Sequence, residues 1–240
     1  MRMRAVKFCA AIALAIGLST VAAHAGPVVV QGTSGIWLAG QPNGTTVSGY
    51  FGSDVAPANS PILVSVTGGE ILTFSAAGST SVGGGCFAGP DGGCYADQSG
   101  FSPAPASADY NGPADALIGV FLNSGVPAGF VPGLDYQTNG NANEGLAAYS
   151  PLLDQIFFIG DGLTGTGSGS TQTFTVPVGA TGLYLGVADS IGASYNNSGS
   201  ITADVNGENA VTPEPGTLLL LGSGLVGLAG MVRRKIGLRA

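Results

Sequence analysis

Between residues 26 and 210 the chain has no lysine, no arginine and no histidine. Its seven basic residues all lie at the ends: Arg2, Arg4 and Lys7 at the start, and Arg233, Arg234, Lys235 and Arg239 at the finish. The single histidine, His24, stands just before the span. Of 14 acidic residues only Glu214 lies outside it, so the span carries a formal charge of −13. Nucleic-acid binding needs cationic side chains to displace counterions from phosphates, and none is present. Nucleophilic catalysis of the Ser-His-Asp or Cys-His kind lacks its base. A histidine-ligated zinc site is excluded, as is an arginine clamp for phosphate or carboxylate. What remains is oxygen chemistry: carboxylates, amides, hydroxyls and carbonyls. That chemistry suits hard cations such as Ca²⁺ and hydrogen bonding to sugars. It also leaves room for a glycoside hydrolase working through two carboxylates. Asp91, Asp97 and Glu144 are loop candidates for that role, but no spacing singles out a pair.

Long apolar stretches with helical periodicity are missing from the same span. Short alternating or apolar runs recur instead, bounded by Gly, Pro and Asn, which is the pattern of an all-β sandwich or barrel. Some nine or ten strands are expected. They include 62–67 and 70–76 around Gly68 and Gly69, read as a tight hairpin, and the buried candidates 116–122, 155–160, 172–177 and 182–187. Residues 35–38 hold the only tryptophan, Trp37, read as a core or edge anchor. The segments 53–61 and 162–171 read as a loop and a linker, and 78–112 as a long Gly/Ser/Pro-rich loop.

Both ends read as addresses. Residues 1–25 have a basic start, an apolar stretch over 8–18 and small residues ending at Ala25, which is the layout of a signal peptide. At the other end, Pro213, Glu214 and Pro215 precede a 16-residue apolar run, 217–232, and then a basic cluster. The run is short of the ~20 residues that span a bilayer comfortably, and the cluster behind it would stay on the cytoplasmic side. Triplet, apolar helix and Arg-rich end stand in order over 211–235, and this tail resembles the PEP-CTERM sorting signal of Gram-negative bacteria. The resemblance implies an exosortase as partner, recognition through Pro213, Glu214 and Pro215, and contact with the membrane through the C-terminal helix before processing. It also implies export to the cell envelope, the outer surface or the extracellular matrix, in cells associated with exopolysaccharide.

Three cysteines are present, and Cys9 belongs to the signal peptide. Cys86 and Cys94 remain in the exported body. At short spacing in an oxidising compartment they point to one disulfide, with two free thiols as the alternative.

The loop 187–199 follows the apolar run 183–187 and carries Asp189, Asn196 and Asn197, all oxygen donors. Polar inter-strand turns have similar composition. Together with residues 114–125, 172–179 and 183–189, this loop resembles the calcium-dependent galactose-binding lectins of the PA-IL (LecA) type. The likeness runs through 62–206 in scattered blocks. It implies a single jelly-roll, galactose-binding-like β-sandwich over 26–210, between the signal helix and a C-terminal apolar transmembrane helix in 211–240. It implies Ca²⁺ held by side-chain oxygens of Asp189, Asn196 and Asn197 and by the carbonyls of Ala193 and Val82. The ion would hold two sugar hydroxyls, with Asp189 and Asn196 also hydrogen-bonding the sugar. A second contact region follows a turn that here is 89–92, with Gln98 matching the family's glutamine. The family's histidine position falls near Tyr95, which alters that contact, although a tyrosine can stack on a sugar's apolar face. The expected function is therefore a non-enzymatic, Ca²⁺-dependent carbohydrate-binding protein whose partner is a carbohydrate or exopolysaccharide. The alternative is a structural matrix or biofilm protein with a calcium site and no sugar binding.

Overall fold

The computed structural model describes residues 27–94, 98–99, 110–123, 126–127, 131–132, 134, 136 and 143–209. The expected signal peptide and sorting tail lie outside them, as do Tyr95, Asp97, Pro213, Glu214 and Pro215. No helix among the described residues is long and apolar enough to cross a membrane.

Described residues form fifteen strands. The first five are β1 (Val28–Gln31), β2 (Thr46–Ser48), β3 (Ser53–Val55), β4 (Ile62–Ser65) and β5 (Glu70–Ser81). Next come β6 (Gln98–Ser99), β7 (Asn111–Gly112), β8 (Leu117–Leu122), β9 (Ala148–Tyr149) and β10 (Ile156–Phe158). The last are β11 (Leu163–Gly165), β12 (Ser168–Thr171), β13 (Thr173–Thr175), β14 (Gly182–Val187) and β15 (Ser198–Asn209). Two sheets dominate. One has the order β1-β15-β5-β13-β9 and the other β10-β8-β14-β4, so the fold is all-β, with two sheets in the manner of a sandwich.

The core fills the space between the sheets with large apolar side chains. Phe174 on β13 packs edge-on to Phe74 at 4.9 Å and stacks on Tyr149 at 4.8 Å. Its ring also lies 5.6 Å from Phe157 on β10, which joins the two sheets, and Phe157 in turn stacks on Phe121. Strand β8 is buried along its whole length. The reason is a second layer: Phe158 on the neighbouring β10 packs against Tyr136, which packs against Tyr110. The Phe158 N–H also donates to the Tyr136 hydroxyl at 3.0 Å. A strand covered on both faces reads as a continuous apolar run rather than an alternating one, as residues 117–122 do.

Four local expectations are corrected. Gly68 and Gly69 do not close a hairpin, because β4 pairs with β14 and β5 pairs with β15 and β13. The turn instead carries the chain from one sheet to the other: Gly69, at φ +87°, donates to Val176 O, and Glu70 N–H returns to Thr67 O. The partner that wins β5 is β15, in an unbroken register from Ser198↔Ser81 to Asn209↔Glu70. That ladder extends β5 to Ser81, well beyond residue 76, and shortens the expected long loop. Residues 53–55 and 163–171, read as loop and linker, pair as the strands β3, β11 and β12. Residues 46–48 form β2, and the chain then makes a tip that turns back into β3.

Truncating Phe174 to alanine removes the ring that links both sheets. Phe174→Ala is expected to cost about 3–5 kcal/mol in urea unfolding. A loss under about 1 kcal/mol would show that this stack does not carry the core.

Candidate functional site

The residues that matter converge where both main sheets end. Thr80 and Ser81 finish β5, Asp115 stands two residues before β8, and Asp189 stands two residues after β14. A single 3₁₀ turn, Ser194–Asn196, and then Asn197 lead into β15. The β14–β8 register ends at Leu117↔Val187. Beyond it the Asp115 N–H donates to Ala188 O at 2.9 Å while the Ala188 N–H donates to Ala116 O, so Asp115 lies against the residue before Asp189.

Each backbone segment is fixed by named bonds. Trp37 lies in a buried 3₁₀ turn, Ile36–Leu38, and its Nε1 donates to Asp189 O at 3.0 Å. Thr80 Oγ1 donates to Asp115 O at 3.0 Å. Asn197 Nδ2 donates to Gly32 O at 3.0 Å. The Tyr195 N–H donates to Asp54 Oδ1 at 2.8 Å, so a carboxylate on β3 anchors the site loop. Gly192 sits at φ +72°, and a Cβ there would meet Gly49 N at 2.5 Å and Gly52 O at 2.6 Å. Only glycine combines that left-handed backbone with so close an approach to the β2–β3 tip.

What these bonds leave over is a set of oxygens. Asp115, Asp189 and Asn197 are at most 7% exposed. Yet both carboxylate oxygens of Asp115, Oδ2 of Asp189 and Oδ1 of Asn197 are buried without a hydrogen-bond partner. So are Asp54 Oδ2 and Ser194 Oγ. Buried polar atoms are almost always paired, and buried charges are paired or coordinate a metal. Here the usual remedy, a lysine or arginine, does not exist in the body.

The acid strengths register the strain. Burial pushes the Asp189 carboxyl up to about 6; the Ser190 N–H and the Asn197 side chain offset this in part, while the charges of Asp54 and Asp115 add to it. Burial also pushes Asp115 up to about 6, only partly offset by the nearby backbone N–H of Val82, which does not reach hydrogen-bond geometry. Asp54 is raised by burial as well, against the neighbouring polar groups of Ser194, Tyr195 and Gly192.

Of the residues expected to hold a cation, Asp189, Ala193 and Asn197 are buried together at this place, Val82 is half-buried beside Asp115, and Asn196 is exposed next to them. Among the described residues no group of three His, Cys, Asp or Glu side chains could by itself hold a metal ion. Amide and carbonyl oxygens would have to complete any shell, and the unpartnered Asn197 Oδ1 is such an atom. The donor set is thus all oxygen, which fits a hard cation. Gln98 is placed only as backbone, paired with Gly112 on β7.

Cys86 and Cys94 are bonded to each other. The turn 89–92 forms, with Gly92 N–H on Gly89 O. The disulfide loop packs beside Asp115 through Gly93 N–H to Ala114 O and Leu117 N–H to Pro90 O. Asp91 points elsewhere and accepts from Asp161 N–H at 2.9 Å.

Sequence reasoning missed Asp54, Asp115 and Ser194. Asp115 carried a faint signal, a lone carboxylate at the mouth of a continuous apolar run. It also missed the β2–β3 tip, where Tyr50 is 93% and Phe51 61% exposed beside the half-exposed Tyr195. The Tyr195 hydroxyl donates to Phe51 O at 3.2 Å, which ties that tip to the site loop.

An acid raised on folding binds its proton more tightly in the folded state. The metal-free protein therefore loses stability as the pH rises from about 4 through about 6, and keeps the lower value above. With a chelator present, the Tm is expected to be higher near pH 4.5 than near pH 7. A Tm that climbs across this interval contradicts the assignment of Asp115 and Asp189 as unrelieved buried acids.

Comparison with curated proteins finds no match. Among solved structures, the chain is similar to the N-terminal domain of EclA, a PllA-like lectin, at 14% identity over 76% of this chain and 95% of that one. The TM-score is 0.33, too low for that likeness to carry an argument about the site. Residues 211–235 match the PEP-CTERM protein-sorting motif. The chain therefore carries a PEP-CTERM sorting signal and is an exported, envelope-targeted substrate of exosortase.

Proposed function

We propose that the exported body is a non-enzymatic, Ca²⁺-dependent carbohydrate-binding module, retained at the cell surface or in the exopolysaccharide matrix. The observation that carries the proposal is the set of buried, unpartnered oxygens on Asp189 and Asn197 in a body with no cationic side chain. Ca²⁺ takes six to eight oxygens and accepts carboxylate, amide, carbonyl and hydroxyl alike. Asp189, Asn197 and Asn196 supply side-chain oxygens, and Ala193 and Val82 supply carbonyls. Sugar hydroxyls then take positions that water would otherwise hold. Asn196, on the exposed side, is placed to hydrogen-bond the sugar.

The aromatic edge supports the sugar reading. Tyr50, Phe51 and Tyr195 present exposed rings next to Asn196, and sugars bring one apolar face to such rings. Tyr95 and Gln98 belong to the same proposal as a second contact region.

A specific observation favours a second reading. Asp189 and Asn197 are both more than nine-tenths buried, so an ion held by them can serve to rigidify the loop without meeting a ligand. The body is then a structural matrix protein with a calcium site.

Calorimetry on the full-length protein in detergent separates the two. Ca²⁺ is titrated first, then galactosides and the host's own exopolysaccharide, each with and without EDTA. The expected result is saturable glycan binding that EDTA abolishes, and a Ca²⁺ affinity that Asp189→Ala weakens by at least about tenfold. Ca²⁺ binding with a raised Tm and no glycan response selects the structural reading. Glycan binding indifferent to EDTA and to Asp189→Ala overturns the calcium-dependent site.

A further inference from the structure

We infer that Asp115 is a second carboxylate ligand at this site, so that Asp115 and Asp189 grip one divalent cation from two adjacent strands. The inference rests on the calcium reading above and adds to it a residue to which the lectin resemblance, though it runs through 114–125, gives no role at the ion.

Three observations point the same way. Firstly, Asp115 is fully buried, and neither of its carboxylate oxygens has a partner. A carboxylate in that condition is costly unless something positive meets it. Secondly, its N–H bonds to the carbonyl of Ala188, the residue before Asp189, whose Oδ2 is likewise buried and unpartnered and whose carboxyl feels the charge of Asp115. Two like charges buried this near each other are costly, and an ion between them removes the conflict. Thirdly, a neutral donor shares the place: Asn197 Oδ1 is buried, unpartnered, and belongs to the side chain that touches Asp189. No lysine, arginine or histidine in the body can take the cation's part.

The backbone supports a built position. Asp115 has φ +67°, a left-handed conformation that is uncommon outside glycine, asparagine and aspartate. Three bonds hold it there: its N–H to Ala188 O, Thr80 Oγ1 to its carbonyl, and Gly93 N–H to the preceding Ala114 O. The last of these comes from the loop closed by Cys86 and Cys94. Two carboxylates make the site formally dianionic. A divalent ion neutralises it, and neutral sugar hydroxyls can join the shell without adding charge.

The test uses the full-length protein in detergent, with Tb³⁺ as probe and Ca²⁺ as competitor. Trp37 is the chain's only tryptophan, and its donation to Asp189 O puts the indole beside the site, so exciting it reports ion arrival by sensitised emission. Asp115→Asn keeps the side-chain shape, and asparagine tolerates the left-handed backbone. Asp115→Gly tolerates it too and guards against a variant that misfolds. The expected result is that both variants weaken Ca²⁺ competition by about 10- to 100-fold, since ligand charge count tunes such sites over that range and more. In metal-free buffer the Tm of Asp115→Asn should be equal to or above that of the wild type, because the variant removes one of two neighbouring buried charges.

Unchanged Ca²⁺ affinity in both variants, alongside a loss in Asp189→Ala, overturns the role of Asp115 and leaves the calcium reading standing. A Tm lowered equally with and without Ca²⁺ marks Asp115 as structural and also overturns it. A wild-type protein that binds neither ion overturns both, and that outcome is separate because it appears before any variant is made.

Discussion

A buried carboxylate in this protein can be satisfied only by backbone N–H groups, by neutral side chains or by something from outside the chain. That constraint follows from a body without lysine, arginine or histidine, and much of the architecture can be read as a response to it. Asp161 shows the usual response: its two oxygens accept from Leu163 N–H and Gly167 N–H across a tight hairpin. Glu70 accepts from Thr67 N–H at the crossing between sheets, and Asp91 from Asp161 N–H. Asp54 takes Tyr195 N–H and so fixes the site loop. In each case loop geometry aims N–H donors at the acid. Asp115 stands out against this background because both of its oxygens are buried and bare, while Asp189 and Asp54 each leave one oxygen in that state.

The place where they are left bare is not accidental to the fold. The β5–β15 ladder and the β14–β8 ladder are the longest pairings in the two sheets, and both end at this site. Ladder ends hold their residues firmly on one side and release them to loops on the other. Asp115 and Asp189 therefore sit just off the ends of rigid strands, while Asn196 and Tyr195 ride on the turn that faces outward. Positioning groups built on strands and contacting groups built on loops is the division of labour found where binding sites sit on rigid scaffolds. The disulfide loop and the β2–β3 tip brace the two flanks, one against Ala114 and the other against Tyr195.

Sequence reading recovered what is local and missed what is tertiary. Residues 117–122 and 182–187 announce themselves because a run of apolar residues has few ways to be buried. Asp189 and Asn197 stand out because a polar loop rich in oxygen donors follows such a run. The Gly68–Gly69 hairpin was misread because two glycines between apolar runs fit a hairpin, but twelve ladder pairs with β15 outweigh one two-residue turn. Asp115 carries only the faint local signal of a lone carboxylate before an apolar run, since its isolation depends on which segments pack around it. The same holds for Asp54, which looks like a loop residue until residues 53–55 pair with 46–48. Burial of Asp189 and Asn197, as against exposure of Asn196, likewise depends on how the 3₁₀ turn faces the sheet end.

The charge pattern also bears on what this body can hold. An exported protein of formal charge −13 over residues 26–210 repels any acidic polymer that approaches it broadly. Contact must then be short-ranged and must come from groups that carry no negative charge. The exposed rings of Tyr50, Phe51 and Tyr195 are such groups, and so is the amide of Asn196. An ion bound between Asp115 and Asp189, as proposed, would cancel the charge of both carboxylates at the edge where those neutral groups gather. Attraction would then be focused at one edge while the remaining surface discourages nonspecific adhesion. On the proposed reading, a hydroxyl-rich polysaccharide would meet this acidic body at that one edge, whereas a basic body would bind acidic polymers over its entire surface.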